Sequence, residues 1–331
     1  MKRKGQMSST FNYIFALIIG AIIFTFLVGF AYKYLGFAGS LGAAELVSSL
    51  NDEFSAFSVS DSAEKTLNFD SAVTFRIYEG KLTSKGQGRS IDHVIYAPFE
   101  VSGEDIFIAT KSLELPYRVG NLFYITDQKT VYILVYDAST EQVIEELQSS
   151  YSSLPSNFAT QVVSITQLSS DMETLAEVTS AYDRVRFVFF TSPAKVEDAI
   201  SATFSNAEIL SVDSSVDDYS SGEITFPDGE TGIYVGYPLL IGGMVSGDAY
   251  SYNYNLDLVL EKLARVTSVY YDKSKFISAR LPDCEYGPMK TALNNYRTFI
   301  GDTDTYTSYA TKIALVEEAN QDLGGECPEI Y

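Results

Sequence analysis

His93 is the chain's only histidine and the first residue to consider for catalysis or metal binding. It follows Asp92 in an apolar stretch, and a histidine beside a carboxylate can act as a general base. With one histidine, no two-histidine metal site can form, and any His-based triad would have to use this residue. A lone histidine in an apolar strand more often serves packing, so we expect His93 to be structural.

Two Ser-x-x-Lys patterns could supply a serine nucleophile that a lysine activates. They are Ser62–Lys65 and Ser192–Lys195. The Ser-Asp-Asn and Lys-Thr-Gly motifs of penicillin-recognising enzymes are missing from the sequence, as are the P-loop, G-x-G-x-x-G and G-x-S-x-G motifs. We therefore expect no catalytic residues and no enzyme, with a Ser/Lys hydrolase as the alternative.

Acidic residues cluster in three loop-like stretches and could bind Ca²⁺ together with backbone carbonyls. The clusters are Asp213/Asp217/Asp218, Asp228/Glu230 and Asp302/Asp304. None has the EF-hand spacing, and solvated loops are the favoured interpretation of all three. We expect no cofactor and no metal site, with Ca²⁺ as the alternative.

The two cysteines, Cys284 and Cys327, lie near the C-terminus and belong to no C-x-x-C pair. This excludes thiol-rich zinc and iron–sulfur sites within one chain. In an oxidising exterior, two cysteines at this separation are expected to form a disulfide. Two separate buried thiols are the alternative.

The charge is strongly acidic and unevenly distributed. Formal net charge is −20, yet residues 1–36 hold four bases and no acid, which leaves 19 basic against 43 acidic side chains in the remainder. Such a surface repels nucleic acid, so no nucleic-acid partner is expected. Hydrophobic residues make up 46% of the chain, enough to build a core.

The elements that would position these residues lie in two parts of the chain. Between residues 61 and 250, short β-branched and aromatic runs predict a strand-rich α/β ectodomain, with a β-meander first and an α/β layer after it. Residues 80–90 are predicted to be a polar loop, and Gly236–Gly247 is interpreted as a glycine-rich stretch that lets backbones pack closely. Residues 251–331 predict a C-terminal helical subdomain, whose first helix Asn255 would cap.

Residues 36–60 predict a stalk helix. Leu46, Leu50, Phe54 and Phe57 recur at helical spacing, which gives one apolar face. This face could pack on its own domain or on a neighbouring subunit, and the sequence leaves both open.

The N-terminal part carries an apolar run of 19 residues, Ile14–Tyr32, within an uncharged stretch from Met7 to Tyr32. About 20 residues cross a hydrocarbon core of ~30 Å, so residues 7–35 predict a transmembrane helix. Lys2, Arg3 and Lys4 place the N-terminus in the cytoplasm and the rest of this single-pass chain outside the cell. The lipid-facing anchor residues would be Ile14, Leu17, Ile18, Ile22, Leu27 and Phe30.

The order of a basic cluster, Gly5-Gln6 and a long apolar helix resembles the archaeal prepilin-type (class III) signal sequence. The resemblance implies that residues 1–6 hold a cytoplasmic leader, which prepilin peptidase recognises through Lys2, Arg3, Lys4, Gly5 and Gln6 and cuts between Gly5 and Gln6. It also implies other pilin-like subunits as partners through the N-terminal helix. Many pilins carry an acid at the fifth mature position, which is Thr10 here, so a filament subunit and a plain anchor remain alternatives.

Two further segments, Tyr96–Phe99 and Leu115–Val119, are similar to archaeal surface proteins with this type of N-terminus. We therefore expect a membrane-anchored archaeal cell-surface protein, a pilin-like or adhesive assembly subunit in contact with the lipid bilayer. The alternative is an extracytoplasmic binding or accessory subunit of a secretion or envelope complex.

Overall fold

The computed structural model describes residues 17, 19, 21, 23–25, 43–148, 154–214, 219–301, 306–324 and 327–331. Two six-stranded mixed sheets and a C-terminal helical region form a mixed α/β fold. The expected α/β class is therefore confirmed for the described residues. Among these residues, no helix has both the length and the hydrophobicity needed to cross a membrane.

Most of the first sheet is antiparallel. Its strands are β1 Ser62–Tyr78, β2 Lys81–Ser84, β3 Gln87–Ser90, β4 Val94–Tyr96, β5 Val101–Glu114 and β6 Arg118–Asp127. Their order is β3-β2-β1-β5-β6-β4, and β4 runs parallel to β6. In the expected β-meander each strand pairs with the next one along the chain. Here β1 pairs with β5 as well as with β2, and β4 lies at the opposite edge of the sheet, beside β6.

The predicted polar loop at residues 80–90 was wrong, since β2 and β3 form a hairpin there. Its two-residue turn holds Lys85 at φ 45° and Gly86 at φ 80°. Positive φ at both positions is the signature of a turn that matches the twist of paired strands. Most side chains of this hairpin are polar, so its sequence lacks the hydrophobic pattern that indicates a strand.

The second sheet is a doubly wound α/β layer. It comprises β7 Thr130–Tyr136, α2 Glu141–Gln148, β8 Thr160–Ser164, α3 Ile165–Ser170, α4 Met172–Thr179, β9 Arg184–Phe189, α5 Glu197–Thr203, β10 Ala207–Asp213, β11 Ser221–Thr225 and β12 Thr231–Val235. The order is β12-β11-β10-β9-β7-β8, with β7 to β10 parallel and β11 and β12 antiparallel. The α/β layer was thus predicted correctly.

Alternating side chains of β7 point into two different cores. Val131, Ile133 and Val135 pack with residues of α3, α4 and α5 on one face. Tyr132 and Leu134 pack into the larger core on the other face. Both faces of a parallel sheet are covered, which explains why the strand is apolar throughout.

The last part of the chain is helical and shares the larger core with both sheets. Its helices are α6 Tyr237–Val245, α7 Ala249–Arg280, α8 Gly287–Phe299 and α9 Tyr306–Gln321. Asn255 was expected to cap the first long helix, and this was wrong, because α7 begins earlier and Asp248 is its N-cap. The Asp248 carboxylate accepts a hydrogen bond of 2.7 Å from the Ser251 amide.

Helix α6 occupies the glycine-rich stretch Gly236–Gly247 and is buried on all sides. A Cβ atom at Gly242 would lie 2.8 Å from the ring of Tyr96, closer than side-chain atoms approach one another. At Gly247 a Cβ atom would lie 2.6 Å from the backbone nitrogen of Phe99, so the close backbone packing that the sequence indicated is confirmed there. Only glycine lets α6 pack this tightly on the first sheet.

The predicted stalk is helical over residues 43–57, here called α1. Leu46, Leu50 and Phe54 are buried and pack with Phe75, Ile108 and other residues of the first sheet. Of the two open alternatives, α1 thus uses its apolar face on its own domain.

Cys284 and Cys327 form a disulfide with a Cα–Cα distance of 5.7 Å. Cys284 precedes α8, and Cys327 follows α9, so the bond joins the open ends of a helical hairpin. In the chain-entropy treatment, closing a loop of this length contributes about 4 kcal/mol. The tail beyond it is anchored too, because Ile330 is fully buried.

Candidate functional site

A cleft of about 450 Å³ lies between the first sheet and α7. It brings together three segments that are distant in sequence: the β1–β2 turn, the β3–β4 connection and one face of α7. Its lining residues are Glu79, Gly80, Lys81, Ser90, Ile91, Asp92, Val94, Tyr254, Leu258, Glu261, Lys262 and Arg265. A concave site of this size with a few convergent polar groups is the usual form of a small-molecule site.

Asn255 fixes α7 against the first sheet. Its side-chain amide donates 2.9 Å to the Ile95 carbonyl, and its Oδ1 accepts 3.3 Å from the Ile95 amide. These two bonds satisfy the open edge of β4, which would otherwise expose unpaired backbone groups. They also set the register that faces Tyr254, Leu258 and Lys262 toward the cleft.

The β1–β2 turn forms one rim of the cleft. Glu79 (φ 47°) and Gly80 (φ 67°) both adopt the left-handed conformation. The Tyr250 hydroxyl donates a hydrogen bond of 2.5 Å to the Glu79 carboxylate, and this bond raises the pKa of Tyr250 to about 12. Tyr250 also stacks on Tyr78 at 5.6 Å. The turn is therefore tied to the first turn of α7.

The charges of the cleft are only partly paired. Arg265 binds Glu261 on the same helix. Burial lowers the pKa of Lys262, the Asp92 carboxylate opposes this shift, and Arg265 adds to it. Lys262 and Asp92 thus attract each other, yet no ion pair of the described residues includes either of them. A gap separates these opposite charges.

His93 lies next to the cleft but not among its lining residues. Its ring packs against Phe123 and against Phe54 of α1, with distances between ring centroids of 5.1 Å and 6.4 Å respectively. Burial lowers the pKa of His93, the charge of Lys262 lowers it further, and Asp92 raises it. This packing role is the one that the sequence favoured.

The Ser-x-x-Lys patterns do not form a helical serine–lysine pair. Ser62 and Lys65 lie on β1, where residues three apart point to opposite faces. Lys65 binds Glu53 of α1 at 2.7 Å instead. Ser192 precedes a short 3-10 turn, Pro193–Lys195, of which Lys195 is the last residue, and both side chains are exposed.

The acidic clusters are partly described. Asp213 ends β10, and Asp228 accepts a hydrogen bond of 3.1 Å from the Glu230 amide within a turn. Asp217, Asp218, Asp302 and Asp304 lie outside the described residues. Within the described ranges, no three or more His, Cys, Asp or Glu side chains gather in a way that could hold a metal ion.

Asp137 marks the carboxyl end of β7, next to β9, where the helices switch faces of the second sheet. Doubly wound sheets commonly bind ligands at such a point. Here the carboxylate accepts from the Ser139 hydroxyl at 2.6 Å and from the Thr191 hydroxyl at 2.7 Å, and these bonds lower its pKa. Asp137 therefore clamps two loops together. Sequence analysis missed it, although an acid directly after a buried strand was the available signal.

A larger groove of about 660 Å³ runs between α8 and α9. Its walls come from one helical hairpin alone. The cleft is the stronger candidate because it combines charged groups from distant segments. Sequence analysis missed Lys262, Tyr254 and Arg265, because no local pattern links α7 to the β3–β4 connection.

The predicted leader residues Lys2, Arg3, Lys4, Gly5 and Gln6 lie outside the described residues. The same holds for five of the six predicted anchor residues, namely Ile14, Ile18, Ile22, Leu27 and Phe30. The sixth, Leu17, is helical and 73% exposed.

Comparisons of this chain with protein-family models, with curated proteins and with solved structures give no match.

Proposed function

We propose that this chain is a membrane-anchored cell-surface protein of the archaeal prepilin type, with an exported acidic domain and no catalytic activity. The observation that carries the proposal is the order of Lys2-Arg3-Lys4, Gly5-Gln6 and the uncharged stretch up to Tyr32. Twelve residues of its apolar run are Ile, Leu, Val or Phe, which favours insertion by several kcal/mol.

Described residues of the apolar run are consistent with this proposal. Leu17, Ile23 and Phe24 are helical and 73%, 53% and 69% exposed, so the described part of the folded domain leaves them uncovered. Lipid or the helices of neighbouring subunits would cover such side chains. The disulfide also fits an oxidising exterior.

The mature N-terminus tests this proposal. Mass-spectrometric sequencing of the protein from native membranes should find Gln6 as its first residue. A Gly5→Val variant should keep residues 1–5, because the resemblance implies a cut directly after this glycine, while Gly36→Val should be processed normally. A mature chain that begins beyond Ala44 and leaves the membrane fraction would contradict the proposal.

A second candidate function is an extracytoplasmic binding subunit, and the cleft at α7 favours it. A plain structural subunit has no need for a concave site with unpaired opposite charges on a cavity wall. This candidate shares the membrane anchor of the first and adds a ligand to it.

A further inference from the structure

The floor and the walls of the cleft differ in polarity. Val94 and Ile91 are buried, and Leu258 is partly buried, so the floor is apolar. Charged side chains rise around this floor: Asp92 beside Ile91, Lys81 on β2, and Lys262 one helical turn beyond Leu258. A ligand that fits would carry charge at one end and an apolar group at the other.

Two of the three acids in the lining are already engaged. Glu79 accepts the Tyr250 hydroxyl, and Glu261 pairs with Arg265. Asp92 is the remaining carboxylate. On the basic side, Lys262 and Lys81 have no ion pair with any described residue. The cleft therefore presents one carboxylate opposite ammonium groups.

Lys262 is partly buried, whereas Asp92 and Lys81 are exposed. An unsatisfied charge in a partly buried position costs free energy, which a ligand of opposite charge removes. The fall in the Lys262 pKa on burial indicates such a cost. A simple anion would compensate Lys262 but would repel Asp92. A simple cation would compensate Asp92 but would be repelled by Lys262. A zwitterion compensates both, provided that its two charges span the gap.

We propose that the cleft binds a free α-amino acid with an apolar side chain. Its carboxylate would contact Lys262 and Lys81, its ammonium group would contact Asp92, and its side chain would lie on Leu258, Ile91 and Val94. The Tyr254 and Ser90 hydroxyls line the same space and supply further hydrogen bonds. This inference deepens the second candidate function and does not require the membrane anchor.

Equilibrium dialysis of the purified, detergent-solubilised full chain against radiolabelled L-leucine tests the proposal. Binding should be saturable. The competitors 4-methylpentanoate, which lacks the ammonium group, and 3-methylbutylamine, which lacks the carboxylate, should each be at least tenfold weaker than unlabelled leucine. This comparison uses the native protein, so it holds even where a variant fails to fold.

Variants assign the binding to the cleft. Lys262→Met and Asp92→Asn should each weaken leucine binding at least tenfold, since each removes a charge-assisted hydrogen bond. Lys312→Met, in the groove between α8 and α9, should bind as the native chain does.

Three results would overturn the proposal: no saturable binding at millimolar leucine, undiminished binding by the folded Lys262→Met variant, or a monovalent analogue that competes as well as leucine. None of them bears on the membrane anchor, which the mature N-terminus tests separately.

Discussion

His93 lies between aromatic rings rather than beside a nucleophile. The sequence showed that His93 is the only histidine, but its packing role depends on Phe54 of α1 and Phe123 of β6, which contact its ring. Asp92 and Lys262 did not stand out in the sequence, because Asp and Lys are common residues. Only the fold brings these two side chains to one cleft. At the scale of single residues, neighbours in space decide what a side chain does.

Burial of His93 makes the stability of the fold depend on pH. The pKa of His93 in the folded chain lies below its ordinary value of 6.5. As the pH falls below about 6.5, the unfolded chain therefore takes up a proton that the folded chain resists, and stability decreases.

Urea unfolding at pH 7.5 and pH 5.5 checks this prediction. The midpoint of the native chain should be lower at pH 5.5, and His93→Phe, which keeps a ring between Phe54 and Phe123, should show a smaller difference. Equal differences in the two proteins would show that His93 does not titrate in this way. No other histidine exists to complicate the comparison.

Arg186 of β9 holds the second sheet to the C-terminal end of α6. Its side chain is 1% exposed and pairs with Glu208 of β10 at 2.5 Å. Its guanidinium also donates to the carbonyl of Met244 at 3.0 Å and to those of Ser246 and Gly247. A cation at a helix C-terminus is favoured by the helix dipole as well.

Replacing Arg186 with Met should therefore cost about 3–5 kcal/mol of unfolding free energy, because three carbonyls lose their donor and Glu208 loses the nearer of its two arginines. Arg184→Met is the matched control on the same strand: Arg184 is partly exposed and lies 3.7 Å from Glu208, so about 1 kcal/mol or less is expected. Chemical denaturation measures both changes. Comparable losses in the two variants would remove the special role of Arg186.

Elements with a regular pattern were predictable, and those defined by tertiary contacts were not. The continuous apolar run of β7 and the amphipathic pattern of helix α8 are examples of such elements. Helix α6 has no polar face, because it is buried all around, and so it gave no helical signal.

The polar β2–β3 hairpin and the parallel β4–β6 pair depend on turn geometry and on distant strands. The candidate site could not be predicted for the same reason, since it lies where α7 meets the first sheet.

The molecule as a whole combines a well-packed acidic domain with an apolar N-terminal run. The two sheets, α6 and the C-terminal helices share one core, and α1 covers the outer face of the first sheet. The disulfide and the buried tail secure the last helices. Such a domain suits exposure to proteases and salt outside the cell, which is where the proposed topology puts it.

The central claim, that the acidic domain lies outside a membrane-anchored chain, is tested most directly by adding protease to intact cells. The account predicts that a broad-specificity protease added without denaturant removes epitopes of the acidic domain, while a cytoplasmic marker stays intact and the N-terminal helix remains in the membrane fraction. Protection of the acidic domain until the cells are lysed would contradict the account.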